Sequence, residues 1–273
     1  MIYLQMKTIK LNLKGILGII TLCMASLLVG VAYADEDPYT LAFNTNTPIK
    51  ITISNSLHNV QFDGEWTFRS EWKESTYDKF WYDRGTAYSE AIVLRTAHQD
   101  KFFYVLIDYL SDFTNDHIAD RAIVCFDGYD QPRHLKYRQS NATSVADESD
   151  WCYAVSRGSS NGHTLQGGSP IYQTSHFNLV KNHPDFVAHG GTSGENDRYV
   201  ATPHAAYEFR IPIEQIGFQD EYGFFVQVFD GNDIKTYPKE FSGKFPQKIP
   251  SPVKWGKIVS PDHSISTMIL NND

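Results

Sequence analysis

The chain has 273 residues, 41% of them hydrophobic, and a formal net charge of −8 at pH 7. An acidic chain of this kind offers no basic stripe to a phosphate backbone or an anionic membrane, which excludes nucleic acid as a partner. Its length suits one large all-β domain or two small ones.

The first 34 residues follow a secretory pattern. Lys7, Lys10 and Lys14 give a positive start, Gly15 to Val31 carries no charge, and Ala32-Tyr33-Ala34 forms a small-x-small signature ahead of Asp35. Cleavage is expected there; a retained N-terminal anchor is the alternative, because the uncharged run approaches the length of a spanning helix. An uncleaved leader would be the sole membrane attachment. Its loss removes three lysines and no acids, which takes the formal charge from −8 to −11. The expected location is therefore extracytoplasmic: secreted, periplasmic or on the cell surface. Two cysteines then remain, Cys125 and Cys152. In an oxidising compartment such a pair is expected to be a disulfide, with two buried thiols as the alternative.

A polar lead-in covers 35–46, a single domain is expected over 47–260, and a tail over 261–273. Within the domain Ile49 to Ile53 alternates apolar and polar residues. Ala91 to Thr96 and Lys101 to Tyr109 are β-branched and aromatic runs around a polar His98-Gln99-Asp100 turn, which reads as a hairpin. Arg121 to Asp127 ends at Gly128. Ala206 to Pro212 alternates with Tyr207, Phe209 and Ile211 on one face, and Pro212 demands a strand end or edge. Tyr222 to Asp230 and Lys254 to Val259 complete the set, and Ile213 to Gly217 alone suggests a helical turn. The expected fold class is all-β, an antiparallel two-sheet β-sandwich of immunoglobulin-like or jelly-roll-like kind. One long polar segment, 131–201, reads as a loop insertion holding some short strands. It contains a sequon at Asn141-Ala142-Thr143.

Several motifs carry a resemblance. They are Val60-Gln-Phe-Asp-Gly-Glu-Trp66 with Glu71-Trp72, Leu94 to Asp108, Asp120 to Gly128, Tyr207 to Gly217, and Trp255-Gly256. In this order they resemble the family 9 carbohydrate-binding modules and their DOMON-like relatives, a superfamily that also includes haem-binding subunits of ethylbenzene-dehydrogenase type. The resemblance covers about Thr47 to Val259 and implies a sandwich whose ligand differs between members. Asp63-Gly64 reads as a turn, and Trp66 and Trp72 read as packing residues.

Three groups of residues are candidates for chemistry. Asp108, Asp112, Asp116 and Asp120 crowd one connection, with Asp127 at the end of the next strand; carboxylate oxygens suit calcium. The resemblance implies structural calcium at such strand-end acids, and a solvated acidic loop is the alternative. Trp81, Tyr82 and Arg84, with Trp151 and Tyr153, are candidates for a sugar site, because sugars stack on aromatic rings and take hydrogen bonds from planar polar groups. Aromatics packed beneath loops are the alternative. His163, His176, His183, His189 and His204, with His134, are candidates for haem or metal. Haem is disfavoured because Met268 is the one methionine past the leader, and relatives use methionine with histidine or lysine. No nucleophile elbow or helix-spaced metal motif is present, so no catalysis is expected. The leading expectation is a non-catalytic module binding carbohydrate or a cell-envelope component. A haem- or metal-binding electron-transfer subunit and an envelope interaction domain without small ligand are the alternatives.

Overall fold

The structure, a computed structural model, describes residues 47–83, 89–116, 120–128, 146–168, 177–231, 233–244 and 248–271. The leader, the lead-in, Arg84, His134, the sequon at Asn141 and His176 lie outside the described residues. The strands in chain order are β1 (Ile49–Lys50), β2 (Thr52–Ile53), β3 (Asp78–Asp83), β4 (Ser89–Gln99), β5 (Phe102–Tyr109) and β6 (Arg121–Asp127). There follow β7 (Asp150–Ser156), β8 (His163–Gln166), β9 (Asn178–Val180), β10 (Val187–Ser193) and β11 (His204–Pro212). A single helical turn, α1 (Ile213–Ile216), precedes β12 (Glu221–Asp230), β13 (Asp233–Tyr237), β14 (Gly243–Lys244) and β15 (Gly256–Val259).

Among the described residues these strands make two sheets, one of nine strands in the order β1-β15-β12-β6-β7-β8-β9 with β13 and β14 branching from β12. The other has six, in the order β10-β11-β5-β4-β2 with β3 beside β4. Pairing is antiparallel except where β1 lies along β15 and β2 along β4. The chain therefore enters by giving one short strand to each sheet across a single residue, Ile51. No helix among the described residues is long and apolar enough to cross a membrane.

Alternation along the strands builds the core. Phe103, Val105, Ile107 and Tyr109 of β5 and Tyr207, Phe209 and Ile211 of β11 meet Val124 and Phe126 of β6 and Phe224, Val226 and Val228 of β12, all buried between the sheets. The expected hairpin forms, with its turn at Asp100, whose φ is 51°. Pro212 ends β11, as a residue without an N–H must. The segment 131–201 departs furthest from its reading: its described part carries β7, β8, β9 and β10, which extend both sheets. Two of its glycines serve close packing of the strands and not loop flexibility. A Cβ at Gly190 would lie 2.5 Å from the Ser156 carbonyl oxygen, and one at Gly191 would lie 2.7 Å from that of Asp63.

The outer faces are covered too. On the nine-stranded sheet Cys125 and Cys152 oppose each other across β6 and β7 and form the expected disulfide, buried with Phe225 and Trp255. Closing 27 residues of separation stabilises the fold by about 3 kcal/mol in the loop-entropy account. On the six-stranded sheet the segment 54–77 lies as a strap. Leu57, Val60, Trp66 and Trp72 press onto Ala97, Tyr104, Leu106 and Ala206. The strap is held by Glu208, fully buried on β11. One carboxylate oxygen accepts the backbone N–H groups of Asp63 (3.0 Å) and Gly64 (2.8 Å), and the other accepts the indole N–H of Trp72 at 2.9 Å. Gly64, at φ +80°, passes so near β10 that a Cβ would meet the Gly191 nitrogen at 2.2 Å. Glu71 repeats the device within the strap by accepting the N–H groups of Gln61 (2.7 Å) and Thr67 (2.9 Å).

Truncation of Glu208 strands three buried donors at once. Glu208→Ala is expected to lower unfolding stability by about 3–5 kcal/mol, read as a drop in the urea midpoint. Burial pushes the Glu71 carboxyl up to about 7, against the hydrogen bonds from Gln61 and Thr67. The folded chain then holds a proton that the unfolded chain has released. This contribution to stability is complete below about pH 4.5 and is lost as the pH rises through about 7. Urea titrations across that window should show the decline, and Glu71→Gln should make it shallower by the share of one carboxyl.

Candidate binding site

At one end of the sandwich the β5–β6 connection meets the β12–β13 turn. Between them opens a cleft of about 310 Å³ lined by Ser111, Asp112, Phe113, Thr114, Asp116, Asp230 and Asp233. Phe113 stands on its rim with 56% of its surface exposed. Tyr109 reaches out of the core to donate its hydroxyl to Asp230 at 3.1 Å. Asp116 lies against the turn, where a Cβ on Gly231 would come within 2.2 Å of its Oδ2.

Behind Asp112 lies a buried charge network. Asp112 is 2% exposed and Asp120 is fully buried. Arg157, at the end of β7, lies 3.7 Å from the carboxylate of the first and 3.5 Å from that of the second. It also donates to the Thr114 carbonyl and to the Thr192 hydroxyl at 3.1 Å. Burial, then the neighbouring Asp120, pushes the Asp112 carboxyl up to about 7, with Arg157 pulling the other way. Burial likewise raises Asp120. Asp112 Oδ2 and Asp120 Oδ1 have no hydrogen-bond partner although both are buried. One guanidinium thus serves two carboxylates and leaves oxygen capacity unused, at Asp112 on the cleft and at Asp120 behind it.

The five aspartates grouped by sequence divide three ways. Asp112, Asp116 and Asp120 share this end of the sandwich, and Asp120 accepts the Asp116 N–H at 3.0 Å. Asp127 sits at the far end of β6, opposite Asp150. Asp108 turns to His204, with Oδ1 2.6 Å from Nε2. Asp197 Oδ2 is 3.5 Å from the same nitrogen. Burial opposes charge on His204, but hydrogen bonds to Asp108 and Asp197 outweigh it and push the imidazole up to about 10. Asp197, despite burial, is drawn down to about 2 by hydrogen bonds from His204, Val200, Tyr199 and Ser193.

The aromatic candidates do not converge. Trp81 faces outward from β3, packed with Ala91, Val93 and Leu110 under the Lys79 ammonium, which is 4.2 Å from the ring centre. Trp151 turns inward from β7 against the core. Tyr82 is buried and donates to the Thr236 carbonyl at 2.8 Å, and Tyr153 is fully buried. Neither tyrosine offers a face to a sugar. Strand parity is the reason: in Trp-Cys-Tyr the odd positions of β7 face the core. The described histidines are spread as well. His163 is exposed on β8, His183 pairs with Glu214 at 2.7 Å, His189 bonds the Phe62 carbonyl at 2.7 Å, and His204 faces Asp108. Met268 packs on the core. Phe113, Arg157, Asp197, Asp230 and Asp233 escaped the sequence reading; the Asp230-Gly231 turn is the one local signal that pointed to the cleft.

No family model and no curated protein matches the chain. Among solved structures, a carbohydrate-binding module family 9 from Caldicellulosiruptor kristjanssonii in complex with cellotriose aligns at 12% identity and a TM-score of 0.42, covering 78% of this chain and 93% of that one. The same kind of module from that organism, in complex with glucose, aligns at 13% identity and a TM-score of 0.41, over 78% and 95%. A Bacteroides uniformis protein provisionally assigned to carbohydrate binding aligns at 8% identity and a TM-score of 0.43, over 78% and 100%.

Arg157→Met removes the shared guanidinium and leaves two buried carboxylates facing each other. It is expected to cost about 3–5 kcal/mol of unfolding stability at pH 7, and less in mild acid where the pair is protonated, as urea titrations at the two pH values would show.

Proposed function

We propose that the protein is an exported, non-catalytic carbohydrate-binding module whose ligand rests on Phe113 at the acidic cleft. The observation that carries this reading is the pairing of one exposed aromatic ring with a wall of carboxylates. A sugar presents a C–H face that stacks on a ring and hydroxyls that donate to carboxylate oxygens. Phe113, 56% exposed, supplies the first, and Asp112, Asp116, Asp230 and Asp233 line the cleft beside it. The motif order along the chain supports the same reading, and the N-terminal leader supports export.

A calcium ion suits this cleft. The donors are all oxygen, and a buried Asp112 oxygen lacks a hydrogen-bond partner. Asp112, Asp116, Asp230 and Asp233 line the cleft but no three of them bring donor atoms within 4.8 Å of one another, so an ion held by them would have to draw the two connections together as it neutralised their charge. The cluster of calcium residues is thereby redrawn: Asp108 and Asp127 leave it, and Asp230 and Asp233 join.

Phe113→Ala tests the binding surface, since the exposed ring contributes nothing to the core. Binding to the best glycan of an array, measured by calorimetry, should weaken at least about tenfold, the scale of one aromatic contact, while the melting temperature stays unchanged. Undiminished binding would refute this surface. Chelation should lower the melting temperature and added calcium should restore it; insensitivity to both would remove calcium from the proposal.

A further inference from the structure

Asp108, Asp197 and His204 are the one group of three metal-capable residues among the described residues, with donor atoms all within 4.8 Å of one another and every member buried. We propose that they form a site for a divalent transition ion of the zinc class, bound by one imidazole nitrogen and two carboxylate oxygens, which ties the β10–β11 connection to β5.

The imidazole is oriented as a metal ligand is. His204 Nδ1 lies 2.7 Å from the Thr202 carbonyl oxygen, which accepts its N–H and turns Nε2 toward the two carboxylates. Outer hydrogen bonds of this kind fix tautomer and ring plane in metal-binding histidines. The Asp197 carboxylate is held with similar care. Its Oδ2 accepts the Ser193 hydroxyl at 2.8 Å, and its Oδ1 accepts the N–H groups of Tyr199 (2.6 Å) and Val200 (3.0 Å). Asp108 Oδ2, fully buried, has no hydrogen-bond partner. Without an ion, one ring N–H must satisfy two carboxylates, and an oxygen is left over. A dication with two carboxylates and a neutral imidazole sums to zero charge, the arrangement a buried site favours.

Distance and donor chemistry agree. Tetrahedral zinc about 2.0 Å from each donor separates the donors by about 3.3 Å. The His204–Asp197 pair stands at 3.5 Å already. The His204–Asp108 pair, at 2.6 Å, needs to open by roughly 0.7 Å to meet that spacing, a change that rotation of one carboxylate supplies. An imidazole in a set of three donors favours zinc over calcium, which takes six to eight oxygens.

The three residues come from places that the ion would join. Asp108 is the last residue but one of β5, His204 begins β11, and Asp197 lies in the connection 194–203. That connection carries Tyr199, whose hydroxyl accepts from Arg95 at 2.8 Å and whose ring meets Trp66 edge-on. An ion at Asp197 would therefore fix the aromatic cover of the outer sheet face.

The experiment uses the full chain purified from a zinc-replete culture, with metal content measured before and after exhaustive chelation. About one zinc per chain should survive dialysis. The stripped protein should melt several degrees lower and regain its stability with zinc but not with equimolar calcium. Asp197→Asn and His204→Gln should each weaken zinc binding at least about tenfold. His204→Gln keeps a donor toward Asp108; if it fails to fold, Asp197→Asn, in the connection, decides the assignment. A wild-type chain that retains no zinc and shows no shift with it overturns the proposal, as does zinc affinity undiminished in the variants that fold.

Discussion

The Glu208 carboxylate is the point on which the outer half of the structure depends. A β-sandwich protects one face of each sheet by packing the two together, and the opposite faces remain to be covered. Here the cover of the six-stranded sheet is a strap with almost no regular secondary structure, so its backbone groups have no ladder to join. A single buried carboxyl answers the problem at its tightest bend, where it receives two consecutive N–H groups and the indole of Trp72. Burial pushes this carboxyl well above the usual carboxylate range, against the hydrogen bonds from Gly64 and Trp72. The strap cannot slide without breaking all three. Gly64 and Gly191 follow from this, because the bend must approach β10 more closely than any side chain allows.

The same logic governs the end of the sandwich. Buried acids recur on this chain, and each solves its charge differently. Glu208 uses neutral donors. Asp112 and Asp120 share the guanidinium of Arg157, and Asp108 and Asp197 share the imidazole of His204. In the first arrangement the donors match the acceptors. In the other two a single cation faces two carboxylates and buried oxygens remain without hydrogen bonds. That asymmetry separates a purely structural carboxyl from places where charge is incompletely balanced, and both of those places lie on the side of the molecule where β5 ends.

Much of the framework was legible because period-2 alternation reports burial directly. Tyr207, Phe209 and Ile211 fall on one face, and so they do in the core. The cysteine pair was legible from count and compartment, and β6 and β7 then place the two residues in register. Segment 131–201 was read too loosely because composition alone cannot distinguish a glycine that bends a loop from one that lets another chain pass. Gly190 and Gly191 are of the second kind, and only the positions of Ser156 and Asp63 reveal it. The acids were grouped by nearness in sequence, but alternation sends Asp108 and its neighbours to different faces. Their neighbours in space, Asp197 in the β10–β11 connection and Asp230 at the end of β12, lie far along the chain, a pairing set by the sheet order.

Tryptophan shows the limit most clearly. A loop tryptophan and a strand tryptophan look alike in sequence, and Trp81 and Trp151 fall in polar surroundings that suggest exposure. The strands assign them by parity instead, Trp151 to the core and Trp81 to the outer face, so the two cannot clasp one ligand. Phe113 is the opposite case. It follows the buried Asp112, in a connection that must turn back toward β6, and more than half of its surface is left exposed. Exposure of a large ring costs solvation free energy that the fold does not recover, and a ligand laid on that ring would recover part of it. The functional reading therefore rests better on a residue the fold leaves uncovered than on aromatic residues the fold already uses.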